Sequence, residues 1–223
     1  MRVAGEAKVK ILSGVLELLF PQRCTFCHRL TQGGAKVCPR CVASLPYTRG
    51  AARQSFPHLE SCCSPLYYVD DVRRSLLRYK FEGLSIYAEV YGDFLAKCID
   101  ENRISCDSIT WVPLSRKRLR RRGYDQARLL AEEVSRRIGA PCVPMLRKIR
   151  NNPAQSGVGD AKKRRENVKG VYEPIPEAEI RGKRVLLVDD IVTSGATLSA
   201  CAAILRQAGA KEVSALTLAR RRD

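Results

Sequence analysis

The chain's 223 residues, 45% of them hydrophobic and 28% charged, suffice for one full domain with a small appendage. Forty Lys and Arg against 23 Asp and Glu leave a net charge of +17. Such a charge projects a positive potential that draws phosphate-rich partners and fades steeply with salt. Ten cysteines without a secretory pattern predict a reducing cytoplasm rather than a disulfide-built secreted scaffold.

The first apolar stretch, ILSGVLELLF at 11–20, is ten residues long, carries Glu17 and runs into Pro-Gln-Arg. It is too short to span a bilayer and has no small-residue cleavage site after it. Val9, Ile11, Leu12, Val15, Leu16 and Leu19 fall on one side of a helix, so a packing helix is expected and membrane insertion is not. Next come Cys24-x2-Cys27 and, after ten residues, Cys38-x2-Cys41, with Gly33 and Gly34 between them and Pro39 inside the second pair. Two such knuckles have the spacing of a tetrahedral structural zinc site, with disulfides as the rival reading. Cys62 and Cys63 are adjacent and cannot both ligate one ion with knuckle geometry; they read as small buried hydrophobes or as the remnant of a second knuckle. Cys98, Cys106, Cys142 and Cys201 stand in apolar contexts and read as core, while His28 and His58 lack the spacing of catalytic histidines.

Residues 66–84 predict a strand followed by a short amphipathic helix with Val72, Leu76, Leu77 and Phe81 inward. Helices are expected over 87–100 and 125–138, and short strands over 109–112 and 142–145. Between them, WVPLSRKRLRRRGYDQA (111–127) places a strand end before a Pro-Leu-Ser turn and a run, 116–122, in which six of seven residues are basic. This predicts a cationic loop suited to a diphosphate or another polyanion; a solvated helix start or a nucleic-acid patch is the alternative. Residues 151–173 are rich in Gly, Pro, Asn and charge, and predict a long mobile loop of the kind that serves as a lid.

The most informative stretch is VLLVDDIVTSGAT, residues 185–197. Val185 to Val188 predict a strand buried on both faces of a parallel sheet. Leu198, Cys201, Ala202 and Leu205 recur at helical spacing until Gly209, so the unit is strand, loop, helix. The helix start offers N–H groups and partial positive charge to an anion. Thr193, Ser194 and Thr197 add hydroxyls, and Gly195 before Ala196 allows close backbone approach, so a phosphate monoester fits. Asp189 and Asp190 would repel further phosphates, and their natural partners are sugar hydroxyls. The rival is an acidic helix start that carries no ligand. A strand over 213–218 completes a sheet in which helices alternate with strands, a doubly wound α/β domain.

These residues carry a resemblance. VLLVDDIVTSGAT resembles the phosphoribosyl-diphosphate signature of type I phosphoribosyltransferases, with the acidic pair for the ribose hydroxyls and the TSGAT loop for the 5′-phosphate. Residues 111–127 resemble the diphosphate loop and following helix of the ComF family of competence-associated proteins. Arg121, Arg122, Gly123, Tyr124 and Gln126 stand at its motif positions, and Asp125 stands where Asn is more usual. Gln155, Ser156, Arg165 and Asn167 also match, and LLFP before Cys24 is similar to the family's zinc segment.

The resemblance implies a type I phosphoribosyltransferase-like doubly wound parallel sheet over 66–223, with an N-terminal zinc-binding segment, 1–65, as candidate hood. It implies binding of phosphoribosyl diphosphate with Mg²⁺: Asp189 and Asp190 as catalytic residues holding the ribose, Thr193, Ser194, Gly195, Ala196 and Thr197 on the 5′-phosphate. Ser115, Arg116 and Lys117 would take the diphosphate, with Lys163, Arg164 or Arg165 closing over it. Cys24, Cys27, Cys38 and Cys41 would hold structural zinc. The expected activity is phosphoribosyl transfer in a protein of DNA uptake, whose partners include competence machinery or single-stranded DNA. The alternative is a non-catalytic nucleic-acid-binding protein that uses the fold for ligand sensing. No residue of the sequence presents itself as a general base.

Overall fold

The computed structural model describes residues 21–150 and 170–222. The helix expected around 9–19 and the lid residues Gln155, Ser156, Lys163, Arg164, Arg165 and Asn167 lie outside the described residues. The chain divides into two compact units, Met1–Leu45 and Pro46–Asp223.

In the smaller unit a bridge between Arg23 and Leu30 closes the first knuckle, and the second opens helix α1 (Pro39–Ser44). Pro39 suits the first helical position because its missing N–H would have no intrahelical partner there. The Cys38 sulfur caps the helix by accepting the Cys41 N–H.

In the larger unit the short strands β1 (Arg53–Gln54), β2 (Cys62–Cys63) and β3 (Leu66–Tyr67) precede helices α2 (Asp70–Phe81) and α3 (Tyr87–Glu101). Strand β4 (Ser108–Trp111) leads to helices α4 (Arg116–Arg122) and α5 (Gln126–Ile138). An antiparallel pair, β5 (Leu146–Lys148) and β6 (Tyr172–Pro174), comes before β7 (Arg184–Val192), α6 (Ala196–Gln207) and β8 (Glu212–Arg220). The main sheet runs β1-β2-β8-β7-β4, with β3 also on β8. All its pairings are parallel except β1 with β2. Val185 and Leu187 of β7 share one core cluster with Leu198, Cys201, Ala202 and Leu205 of α6. By strand alternation Leu186 and Val188 face the other side, where α5 packs on β7 and α3 packs on α5. Burial on both faces explains why residues 185–188 of this strand are continuously apolar.

Five expectations are corrected. The unit boundary falls between Leu45 and Pro46, not at 65, because Cys62 and Cys63 pair in parallel with Ala215 and Leu216 of the main sheet. On α2 the buried positions are Val72, Ser75, Leu76 and Tyr79, whereas Phe81 is 56% exposed. Phe81 lies nine residues from Val72, two and a half turns, and so points to the opposite side of the helix. The run 116–122 is the helix α4, capped by Ser115 Oγ and stopped by Gly123 at φ 81°. The strand expected at 142–145 reduces to a single bridge between Ile109 and Cys142, and Cys106 and Cys142 are half-buried rather than core.

Candidate functional site

Strand β7 carries the acidic pair inside its own ladder, with Asp189 opposite Thr217 of β8. The backbone N–H of Asp190 donates to Asp189 Oδ1 at 2.8 Å, and Lys80 Nζ donates to Asp190 Oδ1 at 2.9 Å. Among the described residues the Oδ2 atom of each aspartate accepts nothing. Two adjacent carboxylates therefore each have one oxygen fixed by the protein and one left for a donor. Burial, then the neighbouring Asp190 charge, pushes Asp189 up to about 8.

Beyond Val192 the chain turns through Thr193 and Ser194 to Gly195, which caps α6 at φ 69°. Only glycine adopts this left-handed conformation without strain. A methyl group on Gly195 would also overlap the Phe56 ring, so that ring rests directly on the turn. The first bond of the helix runs from Ser199 N–H to Gly195 C=O at 2.8 Å. The N–H groups from Thr193 to Leu198 donate to no backbone carbonyl among the described residues, leaving the donors that an anion needs. Residues 191–198 and Asp189 line a small recess there.

A pocket of about 190 Å³ opens beside this turn, lined by Asp189, Asp190 and Thr197 and by four cations, Lys80, Arg118, Arg122 and Lys148. Pro113 and Leu114 form its rim. Asp125 fixes that rim: its Oδ2 accepts from Leu114 N–H at 3.0 Å, while Oδ1 caps α5 through Arg128 N–H at 3.3 Å. Both partners are donors, so an acceptor-only aspartate serves fully at this position. Arg122 donates to Gln126 Oε1 at 2.7 Å on the same wall. Lys148 lies 5.0 Å from the centre of the Tyr172 ring, and burial, then the Arg118 charge, lowers it to about 8.

The sequence-derived residues divide unevenly. Asp189, Asp190, Thr193, Ser194, Gly195, Ala196 and Thr197 converge on this pocket and its adjoining recess. Ser115 is buried as the cap of α4. Arg116 and Lys117 are exposed, and Arg116 lines a neighbouring groove with Trp111, Leu146 and Lys148 rather than the aspartate pocket. Arg118 and Arg122, four residues or about one turn apart on α4, take the inward positions. Lys80, Lys148 and Tyr172 carry no motif and reach the pocket through tertiary packing. Arg122 and Gln126 do carry a signal, since both stand at positions of the motif over residues 121–126.

In the smaller unit the sulfurs of Cys24, Cys27, Cys38 and Cys41 all lie within 4.8 Å of one another. Cys27 and Cys38 are 3.7 Å apart. A tetrahedron of Zn–S bonds has edges of about 3.8 Å, so the four thiols have the spacing of a zinc site. Cys38 N–H points to Cys24 Sγ at 3.4 Å. Burial pushes the Cys24 thiol up, but N–H groups of Cys38, Cys27 and Phe26 outweigh it and bring it down to about 7. All ten cysteines are free of disulfides. No helix among the described residues is long and apolar enough to cross a membrane.

Comparison with known proteins agrees with both units. A phosphoribosyl transferase domain model matches residues 125–223, and a double zinc ribbon domain model matches residues 15–55. Competence protein F of Haemophilus influenzae is 26% identical, over 90% of this chain and 98% of its own length. DNA utilization protein YhgH of Escherichia coli is 27% identical, over 88% of this chain and 89% of its own. Among solved structures, a glutamine phosphoribosylpyrophosphate amidotransferase from B. subtilis, complexed with ADP and GMP, aligns over 60% of this chain with 25% identity and a TM-score of 0.41. The present chain spans about a quarter of that protein, 26%. With a phosphoribosyl transferase domain match, a double zinc ribbon match and similarity over nearly its whole length to Competence protein F, the chain is similar to competence-associated proteins that bear this name.

Proposed function

We propose that this protein binds phosphoribosyl diphosphate in the pocket between β7 and α4 and transfers its phosphoribosyl group to an acceptor. The observation that carries the reading is the pair of open Oδ2 atoms on Asp189 and Asp190 beside a turn of unbonded N–H groups. Two neighbouring acceptors match two vicinal hydroxyls, and the turn matches a 5′-phosphate. Residues 193–197 anchor the phosphate, the acidic pair orients the ring, and Arg118, Arg122 and Lys148 stabilise charge on the departing diphosphate. A Mg²⁺ ion bound together with the donor would supply further neutralisation of the leaving group. The covering role expected of residues 1–65 is carried in this reading by Phe56 over Gly195. Ten free thiols suit a reducing cytoplasm.

Calorimetry with phosphoribosyl diphosphate and Mg²⁺ tests the reading. The wild type binds, and Asp189→Ala combined with Asp190→Ala abolishes binding while zinc content stays at one ion per chain. Unchanged affinity in that variant defeats the assignment.

A second reading has its own observation. Phe81 is exposed and lies 5.8 and 5.1 Å from the Arg121 and Arg122 guanidinium carbons, next to the basic face of α4. An aromatic ring among arginines suits the stacking of an unpaired base. Under this reading single-stranded DNA binds with a steep salt dependence, weakened by charge reversal at Arg116, Arg120 and Arg121. Phe81→Ala costs about 1–3 kcal/mol of affinity, measured by anisotropy of a labelled oligonucleotide. Full affinity in both variants removes this surface.

A further inference from the structure

Lys80 is a pocket residue that no motif marks, and it is held in place unusually firmly. It sits in the last turn of α2, flanked by two anchored neighbours. The Tyr79 hydroxyl donates to Gln126 C=O at 2.9 Å, the Tyr124 hydroxyl donates to Tyr79 C=O, and the Tyr79 ring meets Tyr91 edge-on at 5.3 Å. Phe81, on the other side, lies beneath Arg122. The backbone at 79–81 is thus tied to the segment that follows α4, and the Lys80 ammonium is delivered to Asp190 at 2.9 Å. The two side chains are only 16% and 12% exposed.

A largely buried ion pair is a weak source of net stability, because removing both charges from water offsets most of their attraction. Its position in the pocket is the more telling fact. An ammonium has three donors, and Asp190 Oδ1 takes one of them. The same carboxylate keeps Oδ2 for a ribose hydroxyl. A sugar ring held there brings its C1 substituent within the reach of the lysine.

We propose that Lys80 is a specificity-determining residue of the donor pocket, holding Asp190 with one N–H and engaging an anionic substituent at C1 of the bound pentose with another. With Lys80 in place, the pocket selects a pentose 5-phosphate that carries a C1 diphosphate over one with a free C1 hydroxyl. This inference rests on the donor-binding reading above, and its test is arranged so that the two can fail separately.

The experiment compares phosphoribosyl diphosphate, with Mg²⁺, and ribose 5-phosphate as calorimetric ligands of the full chain, as wild type, Lys80→Met and Lys80→Arg. Wild type prefers the diphosphate ester. Lys80→Met weakens it about tenfold or more, the scale of a charge-assisted hydrogen bond, and changes ribose 5-phosphate less than about threefold. Lys80→Arg retains most of the preference. Equal losses for both ligands make Lys80 a brace for Asp190 and overturn the proposal, as does an unchanged Lys80→Met. If Lys80→Met loses its folded melting transition, Lys80→Arg decides: loss of the preference in that variant, with ribose 5-phosphate still bound, also overturns it. A wild type that binds neither ligand removes the donor reading itself and this proposal with it.

Discussion

The thiol cluster and the acidic pair solve the same electrostatic problem in opposite ways. Each brings groups of one chemical type close together: four sulfurs within 4.8 Å in one unit, two adjacent carboxylates in the other. The carboxylates carry their own counter-charge, since Lys80 is bonded to Asp190 and three more cations line the pocket. The sulfurs rely on N–H groups and on one another. A knuckle of this kind is completed by a metal cation, whereas the pocket, already rich in positive charge, is suited to an anion. The two sites therefore call for ligands of opposite sign.

The largest expected effect tests the metal side. Chelation, or Cys38→Ser, should release zinc and unfold residues 21–45, because metal-binding free energy of about 10–16 kcal/mol is folding free energy in such modules. Elemental analysis with protease mapping reads this, and a knuckle that stays protease-resistant without metal would break the contrast. Gly195→Ala comes next. The left-handed φ and the overlap with Phe56 should together cost about 1–3 kcal/mol, visible as a lower Tm. Adding Phe56→Ala should recover the steric part but not the backbone part.

A third effect, graded with pH, concerns the acidic side. Asp189 is raised in the folded protein above its unfolded value of about 3.9, so the unfolded chain releases this proton first as pH rises. The contribution of Asp189 to stability is full below pH 4 and is lost as pH climbs toward 8. Asp189→Asn does not titrate. The stability of wild type relative to Asp189→Asn should therefore fall between pH 5 and pH 8 in denaturant melts, and a constant difference would show that Lys80 neutralises the pair completely.

What could be foreseen from sequence follows the distance over which each feature is written. The four cysteines fall within residues 24–41, and β7, its turn and α6 are contiguous, so spacing and apolar pattern alone give both. The cationic wall is different. Lys80 and Asp190 stand 110 residues apart, and Lys148 and Tyr172 meet through a strand pair with no signature of its own. In the basic run, charge outweighed the local signals: Ser115 before it and Gly123 after it are a helix cap and a helix stop. Hydrophobicity likewise misassigned Phe81, which the helical phase of Val72, Leu76 and Tyr79 turns outward. The division between Leu45 and Pro46 is hidden for the same reason, since two-residue strands such as Cys62–Cys63 acquire their identity from β8 rather than from their own pattern.

The separation of Lys80 from Asp190 also bears on the order in which a nascent chain matures. The cysteine knuckle can close as soon as its eighteen residues, 24–41, leave the ribosome. The lysine must wait for the whole of β7 to be synthesised and inserted between its neighbours, because N-terminal parts fold first and distant pairings form last. Until then Arg118 and Arg122 stand without the carboxylates that later share their pocket.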